Sequence, residues 1–354
     1  MPTLSDRGPR PPKRRRGAPV PSGPTLKRRV APVRVEAAVH PVVVLAAAAV
    51  GAGLLTWFAS GRSKRLDPAT SERRSYAPRG SAVTASAAQR LNHASTMLAA
   101  SVLFDSGLEH YRGQFFNRAM YTPIIVSSVT LAASLHGAGD TDPGSSRVRH
   151  GVQVLAGLTG LIGFGFHAYN VGKREGGYSF QNLFYSAPIG APMALTLAGI
   201  LGIVAERVRD ADPGEPRLGD LPAGRSLALA TAGMLVGTTF EAGLLHFRGA
   251  FQNPAMYIPV TLPPLAAALL ARAATKPEGA SQVRAKWGMW AVSAMGVGGV
   301  AFHAYGVARM MGGWDNWRQN LIDGPPLPAP PSFSGVALGG LAALELLEHR
   351  RYRL

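Results

Sequence analysis

Cysteine is absent from this chain. Its absence excludes disulfides, thiolate metal sites, cysteine-ligated iron–sulfur clusters and Cys-x-x-Cys-His haem attachment, while leaving the redox compartment open. A Gly-x-Ser-x-Gly elbow and a kinase signature set are also missing, so hydrolase and kinase readings have no support. The glycine-rich run Gly296 to Gly299 carries no following Lys-Ser/Thr and no strand context, and reads as a close-packing surface rather than a phosphate loop. His-x-x-x-His and His-Glu-x-x-His spacings do not occur.

Charge is scarce over long stretches. Val42 to Ala59, Val152 to Val171, Pro188 to Ala205 and Ile258 to Ala271 are apolar and rich in Gly and Ala. Each is near the ~20 residues that cross ~30 Å of hydrocarbon. Small residues let helix backbones approach closely in lipid. The formal charge of +17 is concentrated at the start, where ten Lys and Arg fall in the first 36 residues among Pro and Gly. Such a tail has too little apolar surface to fold. Its expected partner is anionic lipid, and nucleic acid is not expected.

These patterns predict an all-α, polytopic membrane protein of about nine helices, two tandem parallel four-helix units plus one N-terminal hydrophobic helix. The expected segments are a disordered basic tail (1–36), an N-terminal membrane helix or signal (37–60) and a polar linker (61–89). A first four-helix unit (90–206), a second linker (207–225) and a second unit (226–349) follow. The first unit's helices are expected near 90–110, 121–137, 150–172 and 188–206, the second's near 226–246, 256–273, 286–309 and 332–348. Two units with even helix numbers insert in the same direction. Composition hints at a bacterial source, hence a bacterial inner membrane. Arg and Lys in the loops away from the histidines place those loops in the cytoplasm, whereas nine spans would then put the basic tail outside, which the same rule opposes.

The chemistry-bearing feature is a repeat at an offset of 136 residues. Phe104-Asp105-Ser106-Gly107-Leu108-Glu109-His110-Tyr111-Arg112-Gly113 recurs as Phe240-Glu241-Ala242-Gly243-Leu244-Leu245-His246-Phe247-Arg248-Gly249. Both copies continue through a Phe, an Asn and Ala-Met-Tyr to Pro123 or Pro259, with twelve of twenty positions identical. Phe166-His167-Ala168-Tyr169 recurs as Phe302-His303-Ala304-Tyr305 at the same offset. Ionisable groups in apolar helices are costly and mark function or a partner.

Imidazole suits iron, copper, zinc and nickel, and a carboxylate completes a two-His-one-carboxylate set. The candidate ligands are Asp105, His110 and His167, and Glu241, His246 and His303, as two mononuclear sites or one dinuclear site. Iron and copper are the leading metals. Without the acids, the two histidine pairs would ligate two b-type haems. Arg112, Tyr169, Arg248 and Tyr305 are candidate supporting groups. Asp105 and His110 lie about 140° apart on an ideal helix, so they share a site only if the helix distorts, with Gly107 and Gly243 placed to permit it.

The structural alternative pairs Asp105 with Arg112 and Glu241 with Arg248, seven residues apart on one helix stripe. The functional expectation is a metal- or haem-binding membrane protein in redox chemistry or electron transfer, with an extrinsic redox enzyme as a candidate partner. Alternatives are a transporter using the repeated acids and histidines, and a membrane anchor or assembly subunit with a purely structural polar network.

Overall fold

The structure, a computed structural model, describes residues 82–141, 144–211, 216–218, 220–276 and 278–351. The expected basic tail, N-terminal hydrophobic helix and most of the first linker lie outside the described residues.

The described chain is helical apart from a two-residue β-hairpin, Arg217–Leu218 with Leu221–Pro222, in the second expected linker. In the first half, α1 (Ala82–Arg112) leads through a short 3₁₀ turn (Arg118–Tyr121) into α2 (Thr122–Gly139). There follow α3 (Arg147–Gly172), a short α4 (Phe180–Tyr185) and α5 (Met193–Arg209). In the second half, α6 (Ala223–Arg248) leads through a 3₁₀ turn (Pro254–Tyr257) into α7 (Ile258–Thr275). Then come α8 (Gly279–Ala308), a 3₁₀ turn (Gly313–Asn316), α9 (Trp317–Asp323) and α10 (Pro331–Arg351).

Among the described residues, five helical segments are long and apolar enough to cross a membrane: Arg118–Gly139, Arg147–Gly172, Ala223–Arg248, Pro254–Thr275 and Gly279–Ala308. Their outer faces carry large apolar side chains in the open, among them Ile125, Leu155, Phe240, Leu265, Trp287 and Val297. An apolar surface on this scale fits lipid, not water. The chain is a multi-pass membrane protein.

The core lies where α1, α5, α6 and α10 meet. Leu91, Leu98, Leu201, Val204, Leu227, Leu235, Val336 and Leu344 are buried there together. Small residues bring the outer helices close. Gly160 on α3 faces Thr196 on α5, and Gly296 on α8 faces Ser334 on α10, with no room for a Cβ at either glycine. Thr196 donates to the Gly157 carbonyl and Ser334 to the Ser293 carbonyl, which satisfies both hydroxyls. The two halves join unequally. α1 packs along α10, whereas α5 and α6 scarcely touch.

Candidate functional site

Local sequence explains how each histidine is held. After His110, the chain turns through Gln114 and Phe115, both left-handed (φ 56° and 46°). After His246, Ala250 and Phe251 repeat this (55° and 46°). Non-glycine residues rarely adopt this region, so the same strained pair in both turns is a kept feature. Gly113 and Gly249 leave space that the methyls of Met120 and Met256 fill. Asn117 and Asn253 cap the 3₁₀ turns, each side chain accepting the N–H two residues on at 2.9 Å. Phe115 stacks on Tyr121 and Phe251 on Tyr257, with ring centres 4.4 and 4.6 Å apart. Each Phe also meets its histidine edge-on at 6.2 Å.

The turns return a backbone carbonyl to each imidazole. His110 Nδ1 lies 2.6 Å from the Met120 carbonyl, and His246 Nδ1 lies 3.0 Å from that of Met256. The later histidines are held alike. His167 Nδ1 is 2.6 Å from the Pro188 carbonyl, and His303 Nδ1 is 2.6 Å from that of Pro326. A carbonyl only accepts, so Nδ1 carries a proton in all four rings, and in the neutral ring Nε2 presents its lone pair.

A second repeated loop holds those proline carbonyls. Gly176 and Gly177 are left-handed (φ 86° and 56°), as are Gly312 and Gly313 (78° and 50°). The Asn182 amide donates to the Glu175 and Gly177 carbonyls, and the Asn320 amide to those of Met311 and Gly313. Sequence reading missed this loop because its offset changes from 136 to 138. Allowing a two-residue insertion after Gly313 aligns Gln181-Asn182-Leu183 with Gln319-Asn320-Leu321, and Pro188 with Pro326.

Within each half the histidines pair. His110 and His167 lie within electrostatic reach of each other, and so do His246 and His303. Among the described residues, no three His, Asp or Glu side chains gather closely enough to hold a metal ion. α1 runs unbroken through Gly107, so the wide angle between Asp105 and His110 is not relieved. The geometry therefore groups two histidines per half and leaves the acids apart.

The acids face elsewhere. Asp105 and Glu241 approach each other across the two halves, with Glu109 and Arg112 nearby. Neither expected ion pair forms. Arg112 instead donates to both carboxylate oxygens of Glu109, at 3.0 and 3.1 Å. Arg248 donates to the Leu183 and Ser186 carbonyls, both at 3.1 Å, and lies over the Phe184 ring. The support expected from Arg112, Tyr169, Arg248 and Tyr305 is supplied to the imidazoles by backbone carbonyls. Lys173 sits over the Tyr169 ring and Arg309 over Tyr305, another pair at the 136-residue offset.

Glu241 accepts the Gly190 N–H through Oε2 at 3.1 Å, while its buried Oε1 has no hydrogen-bond partner. The residue matching Gly190 in the second half is Pro328, which has no N–H. Its carbonyl accepts from Ser101. Asp105, the counterpart of Glu241, has no side-chain hydrogen bond among the described residues. Both acids, with His246 and His303, line a cavity of about 1780 Å³ between the halves.

The site is thus a set of tautomer-fixed histidine pairs at one end of a multi-pass helical membrane protein. No family model, curated protein or solved structure matches this chain.

Proposed function

We propose that the chain is two parallel four-helix units, related by duplication, that bind b-type haem through the pairs His110–His167 and His246–His303 for redox chemistry or electron transfer. One observation carries this reading. All four imidazoles place Nδ1 within hydrogen-bond distance of a backbone carbonyl, the arrangement that fixes a metal-bound histidine, raises its basicity and leaves Nε2 of the neutral ring to ligate. Two histidines per half would suit haem, which can be held by two protein ligands, better than an ion needing three or four. The duplication reading is supported by element ends that recur at one offset: Arg112 and Arg248, Tyr121 and Tyr257, Gly139 and Thr275, Gly172 and Ala308.

Haem supplies reversible one-electron chemistry when bound. The residues' part is to hold the ring nitrogens in one tautomer, exclude water with Phe115 and Phe251, and offer Arg309, which lies over Tyr305 at a helix end, as a cationic partner for an acidic substituent. Iron or copper held by the same nitrogens, with the carboxylates further out, remains within this proposal. An absorption spectrum and metal analysis of the purified full chain test it. A Soret band with about one haem per histidine pair is expected. A metal-free, haem-free protein from cells supplied with both would overturn it.

The cavity between the halves favours a second reading, a transporter whose acids bind substrate or relay protons. Haem-free protein that accumulates a solute in proteoliposomes would select it.

A further inference from the structure

The cavity between α5 and α6 has two chemically distinct ends. Its walls are apolar, formed by Leu98 and Val102 on α1, Ile200 on α5, Leu229 and Met234 on α6 and Phe333 on α10. Its polar end holds Asp105, Glu241, His246, His303, Arg112 and Arg248. Arg112 is engaged by Glu109, and Arg248 donates through one terminal nitrogen to two carbonyls while its Nε is buried without an acceptor. The acids have acceptor capacity to spare. Glu241 accepts the Gly190 N–H through Oε2, but its Oε1 is buried without a donor, and no side-chain hydrogen bond is made by Asp105 among the described residues. A buried acceptor without a donor carries its full desolvation cost, and such groups in native proteins are explained by a missing partner.

We propose that this cavity binds a membrane-soluble amphiphile whose head group donates hydrogen bonds, with Glu241 and Asp105 as the acceptors and the apolar tail between α5 and α6. Three features define the ligand. Glu241 Oε1 is an acceptor without a donor, so the head must donate, and because Arg248 Nε is a buried donor without an acceptor, a head that also carries an acceptor fits best. The walls are hydrocarbon, so the remainder must be apolar. The two helices that frame the cavity barely touch, so a long tail has room between them. The proposal stands on the acids and the cavity; His246 and His303 line the same polar end, so any group they hold is a neighbour of the bound head.

Two sources offer this chemistry, a hydroxyl-bearing ring such as a quinol and a primary-amine lipid such as phosphatidylethanolamine. Each has a partner of the same shape without donors, the quinone and phosphatidylcholine. Binding of all four probes to the detergent-purified full chain would be measured by displacement of a fluorescent amphiphile. At least one donor head should bind about ten-fold or more tighter than its donor-less partner, the change expected for a hydrogen bond to a charged acceptor.

Which pair discriminates names the source. Glu241→Gln should cut that ratio to about three-fold or less, because an amide both donates and accepts. Asp105→Asn, at a position with no hydrogen bond to lose, gives a second readout should Glu241→Gln fail to fold. Equal binding within both pairs, or a ratio unmoved by either variant, would overturn the proposal. The Soret band of the same samples reports on the histidines separately, so the two readings can fail independently.

Discussion

The two halves agree around the histidines and disagree almost everywhere else that carries charge. Around the histidines the turn angles, asparagine caps, stacked aromatics and carbonyl acceptors all recur. At the opposite end, Arg149 of the first half is buried and bonded to Glu206 through Nε at 2.7 Å and to Asp140 at 2.6 Å, with His136 Nδ1 beside it. The matching positions in the second half are Ala285, Leu344 and Lys276, and Ala285 and Leu344 are buried hydrocarbon. An ion network and an apolar plug therefore fill the same place. Near the histidines, Glu109 holds Arg112, whereas its counterpart Leu245 leaves Arg248 to clasp the neighbouring loop. Two segments of like sequence are free to solve packing in more than one way. What stays the same in both copies marks the demand that packing does not set.

The largest expected effect comes from removing that shared feature. His167→Ala and His303→Ala should each lower haem content by about half, and the double variant should abolish it, as read by pyridine haemochrome assay and iron analysis. If one single variant removes everything, the halves are not equivalent and only one cage is loaded.

Next is the ion network. Glu206→Leu copies the second half but leaves Arg149 short of its main acceptor, and should destabilise the protein by about 3 kcal/mol or more. Adding Arg149→Ala should recover much of that loss, measured by denaturant unfolding in detergent. Smaller again is the contrast between the acids. Glu241→Ala strands the Gly190 N–H and should cost about 1–2 kcal/mol, while Asp105→Ala breaks no hydrogen bond and should change stability by less than ~0.5 kcal/mol. Melting curves of the two variants decide this. Smallest is Glu109→Leu, which converts the Arg112 environment to that of Arg248. An exposed i,i+3 pair contributes little, so stability should stay within about 0.5 kcal/mol.

Much of the helical layout was legible because apolar runs of membrane length leave few alternatives. Boundaries were less so. α1 starts at Ala82, before the expected 90, because Ala87 and Ala88 bury a helical face that hydropathy alone does not register. α5 starts at Met193, after the expected 188, because Pro188 is spent in the loop that serves His167. The importance of the four histidines was legible from their repetition. Their partners were not, since a backbone carbonyl leaves no mark on side-chain patterning. The acid–arginine pairs fail for two different reasons: Glu109 is three residues from Arg112 and Asp105 is seven, so the nearer acid takes that cation, whereas Arg248 is taken by the Leu183 and Ser186 carbonyls of a loop distant in sequence. The Asn182 and Asn320 loops escaped notice because two inserted residues break the register of an otherwise matching segment.

The unequal seam has a mechanical consequence. Among the described residues, α1 and α10 fasten the halves along one side, and the other side has no comparable fastening. Relative motion of the halves must pivot on the fastened edge and open the opposite one. A molecule reaching the polar end from the bilayer can then arrive sideways between two helices, without crossing the water-facing loops or dismantling either histidine cage.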